Sequence, residues 1–228
     1  MHAATSWTAK ALELATRYRD DVMTSYILSR KSMHAASRRD ARLTLELARS
    51  AQEPPHLPPR VRAVSLVMEA YGLGLLGDAG SCLRGFDRAS DVIDSVSDVD
   101  GDDGDAVARY CTLSFVDVWR ATSLTELGRP SDAIGLFEKA LSALPPVYYR
   151  DRANYGARLA IAYARERAPD TAAHLGEQAR QIAVDTESVW AWLELAKLRS
   201  SLRPWAHRAP VARFFKALTV PTNPLLQP

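Results

Sequence analysis

The chain has 228 residues, 47% of them hydrophobic and 25% charged, which is the composition of a globular protein and excludes a disordered or collagen-like chain. A formal charge of +2 supplies no overall field to draw it onto nucleic acid, and no apolar run reaches the roughly 20 residues that span a bilayer. Two cysteines, Cys82 and Cys111, cannot make a disulfide framework, and the first ten residues lack a basic region followed by an apolar stretch, so the expected compartment is the reducing cytoplasm.

Helical periodicity dominates from end to end, and alternating strand-type runs are nearly absent. Trp7, Ala11, Leu14 and Ala15 fall three or four apart and predict a helix from about Thr5 to Arg17. Asp20 is placed to cap a second helix whose apolar residues are Val22, Met23, Tyr26, Ile27 and Met33. A third runs from about Arg39 to Ala51 and is stopped by the prolines of Pro54-Pro55-His56-Leu57-Pro58-Pro59. Helices over Arg60–Leu76 and Asp78–Val96 follow, then an acidic loop, 98–105. Thr112–Leu127 and Pro130–Leu144 form a pair around Gly128-Arg129-Pro130, and Arg150–Arg167 and Pro169–Val184 form the next. Glu187–Leu202 and Pro210–Leu218 complete the series, leaving a Pro-rich tail, 219–228. Charge is uneven along this order: residues 1–62 carry 11 basic and 6 acidic side chains, whereas 63–105 carry 2 and 10.

The segment Ser114 to Pro146 is the clearest of several internal copies. Its turn leads into a helix with Ala133, Phe137 and Ala140, closed by Pro145. This order of small, aromatic and small residues resembles the second helix of the tetratricopeptide repeat. Cys82, Phe86 and Ala89 have the same spacing, and Ala41, Leu45, Ala48 and Ala172, Ala179 give further copies. The copies start 41, 51 and 39 residues apart, longer than the family's repeat of about 34. Ala4, Trp7 and Ala11 look like a second helix and imply a first helix upstream of it. The order of the pieces, with Tyr26–Ser32, Pro58–Ala63 and Leu202–Trp205, resembles the C-terminal sensor region of bacterial helix-turn-helix regulators that carry such repeats.

Other motifs point to no chemistry of their own. Gly72-Leu73-Gly74-Leu75-Leu76-Gly77 matches G-x-G-x-x-G, but a dinucleotide site needs a strand before it, and the preceding residues have helical spacing, so helix packing is the preferred reading. Asp98, Asp100 and Asp102 have the first three spacings of a calcium loop, yet Asp103 replaces its glycine and Arg109 its bidentate glutamate, so a solvated loop is expected. The histidines show no metal-ligand spacing, and Glu69 and Glu166 stand without evident partners. Cys82 reads as a core thiol, while Cys111, near a helix start, stays open. Arg30, Lys31, Arg38, Arg39 and Arg42 form a basic cluster interrupted by Asp40 and Glu46, read as solvated helix faces. No catalytic constellation, metal site or cofactor site emerges.

The resemblance implies an all-α, right-handed α-solenoid of tetratricopeptide-like hairpins, occupying 1–218 and closed by the Pro210–Leu218 helix as a cap. It also implies a concave groove lined by the first helices, at Met23, Tyr26, Arg30, Tyr71, Phe115, Trp119, Thr122, Asn154 and Arg158. Tyr71, Phe115 and Trp119 could equally pack between repeats. The expected function is non-catalytic recognition of a peptide, small molecule or protein in that groove, as the sensor part of a bacterial transcriptional regulator, with no direct contact to nucleic acid or membrane. A free-standing adaptor for protein assembly is the first alternative, and a second copy of the chain, as a homodimer, is among the expected partners under either reading. An enzyme on a helical scaffold is the second.

Overall fold

The computed structural model describes residues 2–96 and 107–219, with side chains from Trp7 onward. The acidic loop 98–105 and all but the first residue of the Pro-rich tail lie outside the described residues. The described chain is all-helical, with no strand among the described residues. Among the described residues eleven α-helices follow one another: α1 (His2–Arg17), α2 (Asp21–Ser37), α3 (Ala41–Ser50), α4 (Pro59–Leu75), α5 (Ala79–Asp94), α6 (Leu113–Glu126), α7 (Pro130–Ala143), α8 (Tyr149–Arg165), α9 (Pro169–Thr186), α10 (Val189–Leu202) and α11 (Ala209–Leu218). Short 3₁₀ turns, Pro146–Tyr148 and Arg203–Trp205, precede α8 and follow α10.

The helix starts follow the local chemistry of the sequence. Asp20, Asp40 and Asp78 each accept the backbone N–H of the residue three further on, at 2.9, 3.0 and 3.0 Å, and so cap α2, α3 and α5. Proline begins or nearly begins α4, α7, α9 and α11, where its missing N–H costs nothing. Six of the helix ends, those of α1, α2, α4, α6, α8 and α9, share a single device. Arg19, Arg39, Gly77, Gly128, Arg167 and Glu187 all have positive φ, between 49 and 84°. In each case the residue after it returns its N–H to a carbonyl five residues back, for example Asp20 to Ala15 at 2.9 Å, Asp78 to Leu73 at 3.1 Å and Ala168 to Tyr163 at 2.9 Å. That is the Schellman turn, and here it is immediately followed by a cap or an N-terminal proline, so the chain reverses within about three residues.

The chain divides into two compact units, Met1–Ser123 and Leu124–Pro228, so the stretch read from sequence as one repeat domain contributes to both. In the first unit α1 packs on α2, α2 on α3, α3 on α4 and α4 on α5, while α2 also meets α4. Two serines tie α2 to its partner: Ser32 Oγ donates to the Thr44 carbonyl on α3 at 2.8 Å, and Ser25 Oγ donates to the Ala51 carbonyl just past its end at 2.6 Å. In the second unit the same scheme holds, with α8 on α7, α9 and α10, and α9 on α10 and α11.

Small residues mark the closest crossings. Ala133, Phe137 and Ala140 of α7 all turn inward, none more than 1% exposed. The core of the second unit is largely alanine, with Trp192, Leu195, Leu198 and Leu202 filling the larger gaps. Val211 and Phe214 of α11 complete it. The G-x-G-x-x-G run lies at the end of α4 and is a packing element. A Cβ at Gly72 would stand 2.9 Å from Leu45 Cγ and one at Gly74 would stand 3.0 Å from Cys82 Sγ, while Gly77 supplies the positive φ of the turn.

Candidate binding site

Three helices of the first unit carry most of the residues singled out from sequence. Met23, Tyr26 and Arg30 follow one another at helical spacing on α2, all half-buried. Tyr71 lies on α4, and Phe115, Trp119 and Thr122 lie on α6. The aromatic members form one row of edge-to-face contacts. Tyr110 meets Phe115 with ring centroids 5.2 Å apart, Phe115 meets Trp119 at 6.3 Å, and Trp119 meets Tyr71 at 4.9 Å. Tyr71, Phe115 and Trp119 are 4, 7 and 6% exposed, so their rings form a buried wall between α4 and α6 more than an open surface. Thr122 spends its hydroxyl on its own helix, donating to the Val118 carbonyl at 2.7 Å.

The polar end of this row is at Tyr110, a residue the sequence reading did not select. It precedes α6 in a turn, five residues before Phe115, and that interval matches no helical period. Its hydroxyl oxygen is buried without a hydrogen-bond partner. Burial drives the phenol well above its ordinary pKa, and the neighbouring Arg30 guanidinium pulls it partly back without making a hydrogen bond of good geometry. Tyr26 also acts on that phenol, and it raises the pKa. Arg30 itself makes no ion pair among the described residues; its Nη1 rests 3.6 Å from Met33 Sδ. Its charge is felt on the other side too, because burial first, and then Arg30 and Arg38, hold the His34 imidazole below its usual pKa. A half-buried guanidinium thus stands beside a buried, unpaired phenol at the end of an aromatic row.

Asn154 and Arg158 belong to α8 in the second unit, one helical turn apart. Arg158 is 8% exposed and faces Glu194 of α10, with Nε and Oε1 3.4 Å apart. Lys197 reaches the same carboxylate oxygen at 3.1 Å. Asn154 leaves a buried side-chain oxygen without a partner. Nothing in the sequence announced Glu194, since only the meeting of α8 with α10 brings it to Arg158.

The carboxylates read as unpartnered both have partners. Glu69 accepts from Arg49 Nε at 3.2 Å and Gln52 Nε2 at 3.1 Å, and Glu166 accepts from Ser131 Oγ at 2.8 Å. Helix crossings supply these partners from 17 to 35 residues away, which spacing along one helix does not reveal. Neither Cys82 nor Cys111 is in a disulfide, neither has exposed surface, and burial pushes the Cys82 thiol up. No group of three metal-ligating side chains occurs among the described residues, and no helix there is long and apolar enough to cross a membrane. Searches against protein-family models, curated proteins and solved structures find no match to this chain.

Proposed function

We propose that the chain is a non-catalytic recognition module of the tetratricopeptide-like class, acting in the cytoplasm as the ligand-sensing part of a bacterial transcriptional regulator. The observation that carries the reading is the Arg30–Tyr110 pair at the end of the Tyr71–Trp119–Phe115 row. An uncompensated guanidinium and an unpaired phenol at a low-dielectric site both gain from an acceptor group, worth about 1.5–3 kcal/mol for a charge-assisted hydrogen bond. The aromatic row beside them suits an apolar body. A peptide or small molecule with one anionic or carbonyl end answers both demands. Successive helix hairpins provide the mechanical part, since filling a groove between first helices changes the angle at which hairpins stack. The buried free thiols accord with a reducing compartment.

The test is native mass spectrometry of the full chain after gentle purification, followed by tryptophan fluorescence as the retained ligand is added back. Arg30→Gln and Tyr110→Phe are the informative variants. Tyr71→Ala is less so, because at 4% exposure its truncation also opens the core. Loss of the adduct in Arg30→Gln with unchanged helicity is the expected result. An adduct held equally by both variants, or none on the wild type, removes the reading.

One observation favours the adaptor reading as well. Trp7 and Leu14 of α1 and Tyr18 just past its end are 75, 39 and 76% exposed, at intervals of seven and four residues. An apolar stripe of this kind is a protein-docking feature, and a second copy of the chain is among its candidate partners. Light scattering of the wild type and of a Trp7→Ser, Tyr18→Ser variant separates a self-associating chain from a monomer.

A further inference from the structure

The corner where α10 gives way to α11 carries an excess of positive charge that the recognition site above does not use. From Leu195 to Thr219 the sequence holds Lys197, Arg199, Arg203, Arg208, Arg213 and Lys216 and no acidic residue at all. Two of these are answered: Lys197 by Glu194 at 3.1 Å and Arg208 by a bidentate contact to Asp170. Arg199 and Arg203 are not, and they make no ion pair among the described residues. They stand four residues apart, one helical turn, a spacing at which like charges repel. Between them and α11 lies a cleft of about 460 Å³, lined by Arg199, Ser200, Arg203, Ala206 and Phe215. The Arg199 guanidinium is held over the Phe215 ring, 5.5 Å from its centroid, and Phe215 itself leans on Phe214 of the core.

We infer that this cleft binds a small aromatic oxyanion, a ring bearing a phosphate or carboxylate. Its volume falls in the range of small-molecule sites. The two guanidiniums supply paired donors for the anionic group, and guanidinium is the side chain whose flat fork matches that geometry. Phe215 and Ala206 supply the apolar lining for the ring. Stacking on Phe215 also fixes Arg199, so part of the ordering cost of a long side chain is met before the ligand arrives. The negative end of the α10 dipole explains why a cation is tolerated in the last turn. It does not explain why Arg199 lies over a ring, or why a second arginine joins it around a hollow.

The test uses the full chain and phenyl phosphate, benzoate, inorganic phosphate and benzyl alcohol as probes, titrated by calorimetry. Saturable one-to-one binding of phenyl phosphate or benzoate is expected, with inorganic phosphate and benzyl alcohol each roughly tenfold or more weaker. Arg199→Gln and Arg203→Gln should each weaken the aromatic anion about tenfold, the loss expected for one charge-assisted hydrogen bond. Both arginines are exposed, and circular dichroism checks that the variants fold. Arg213→Gln, an exposed cation outside the cleft, should leave affinity within about twofold. Equal weakening by Arg213→Gln would mean a diffuse basic face and overturns the site, as would benzyl alcohol binding as well as phenyl phosphate. Binding of a dT12 oligonucleotide that is insensitive to the Arg199 and Arg203 variants, with no binding of the small probes, assigns the charge to nucleic acid and overturns it too.

Discussion

Two glycines in the middle of helices should respond to the same substitution with opposite signs. In a helix interior, alanine is favoured over glycine by about 1 kcal/mol, because glycine loses more backbone freedom on folding. At Gly135 in α7 nothing stands within 4 Å of the position a Cβ would take, so Gly135→Ala should realise most of that gain, about 0.5–1 kcal/mol. At Gly85 in α5 the new Cβ would lie 2.8 Å from the Cβ of Ala70 and 3.2 Å from its Cα. The second contact is to backbone, so no rotamer change relieves it, and α4 and α5 must separate. Overpacking of this kind costs about 1–3 kcal/mol, which exceeds the propensity gain through most of its range. Gly85→Ala should therefore be less stable by up to about 2 kcal/mol. For a chain of this length about 1 kcal/mol moves the melting temperature by roughly 2–4 °C. Thermal and urea unfolding followed by circular dichroism gives the total change. A Gly85→Ala protein as stable as wild type would mean that α4 and α5 do not approach as closely as described, and the reasoning from small residues to helix crossings would fail.

Arg39 and Arg167 hold positive φ at 60 and 63° in turns where glycine carries less strain, so Arg39→Gly and Arg167→Gly should each gain about 0.5–1 kcal/mol in urea unfolding. Arg158→Met should cost about 3 kcal/mol, since it leaves Glu194 largely buried with only Lys197; a double variant with Glu194→Leu should recover much of that loss, and a double-mutant cycle measures the coupling. Cys82, buried and raised in pKa, should resist a thiol reagent until the protein unfolds. The unfolded thiol releases its proton at about pH 8.5 while the folded one keeps it, so stability is full below that pH and falls as pH rises above it; the Cys82→Ala variant should lose this alkaline dependence, read from urea midpoints between neutral and alkaline pH.

The sequence by itself determined the helices and most of their ends. The three-and-four spacing of apolar residues predicts every one of the eleven, because a helix must bury one stripe whatever it packs on. Asp20, the glycines at 77 and 128 and the N-terminal prolines punctuate the chain through local hydrogen bonding and fixed dihedrals, which need no distant partner. The inward face of Ala133, Phe137 and Ala140 was legible for the same reason. Four of the six Schellman turns were not, because Arg19, Arg39, Arg167 and Glu187 carry no glycine signal and are held in the left-handed region by the helices they join.

Only the tertiary structure decided which groove candidates are walls and which are polar ends. Helical periodicity places Tyr71 on α4 and Phe115 and Trp119 on α6 but cannot say whether a neighbouring helix covers them, and the rings of these two helices do cover one another. Tyr110 is recruited from a turn, Glu194 from α10 and Phe215 from α11, each across a helix crossing. A one-dimensional pattern reports how a residue sits relative to its own helix. The company it keeps is fixed by how close two helices come, and that distance is set by single methyl groups such as those missing at Gly72, Gly74 and Gly85.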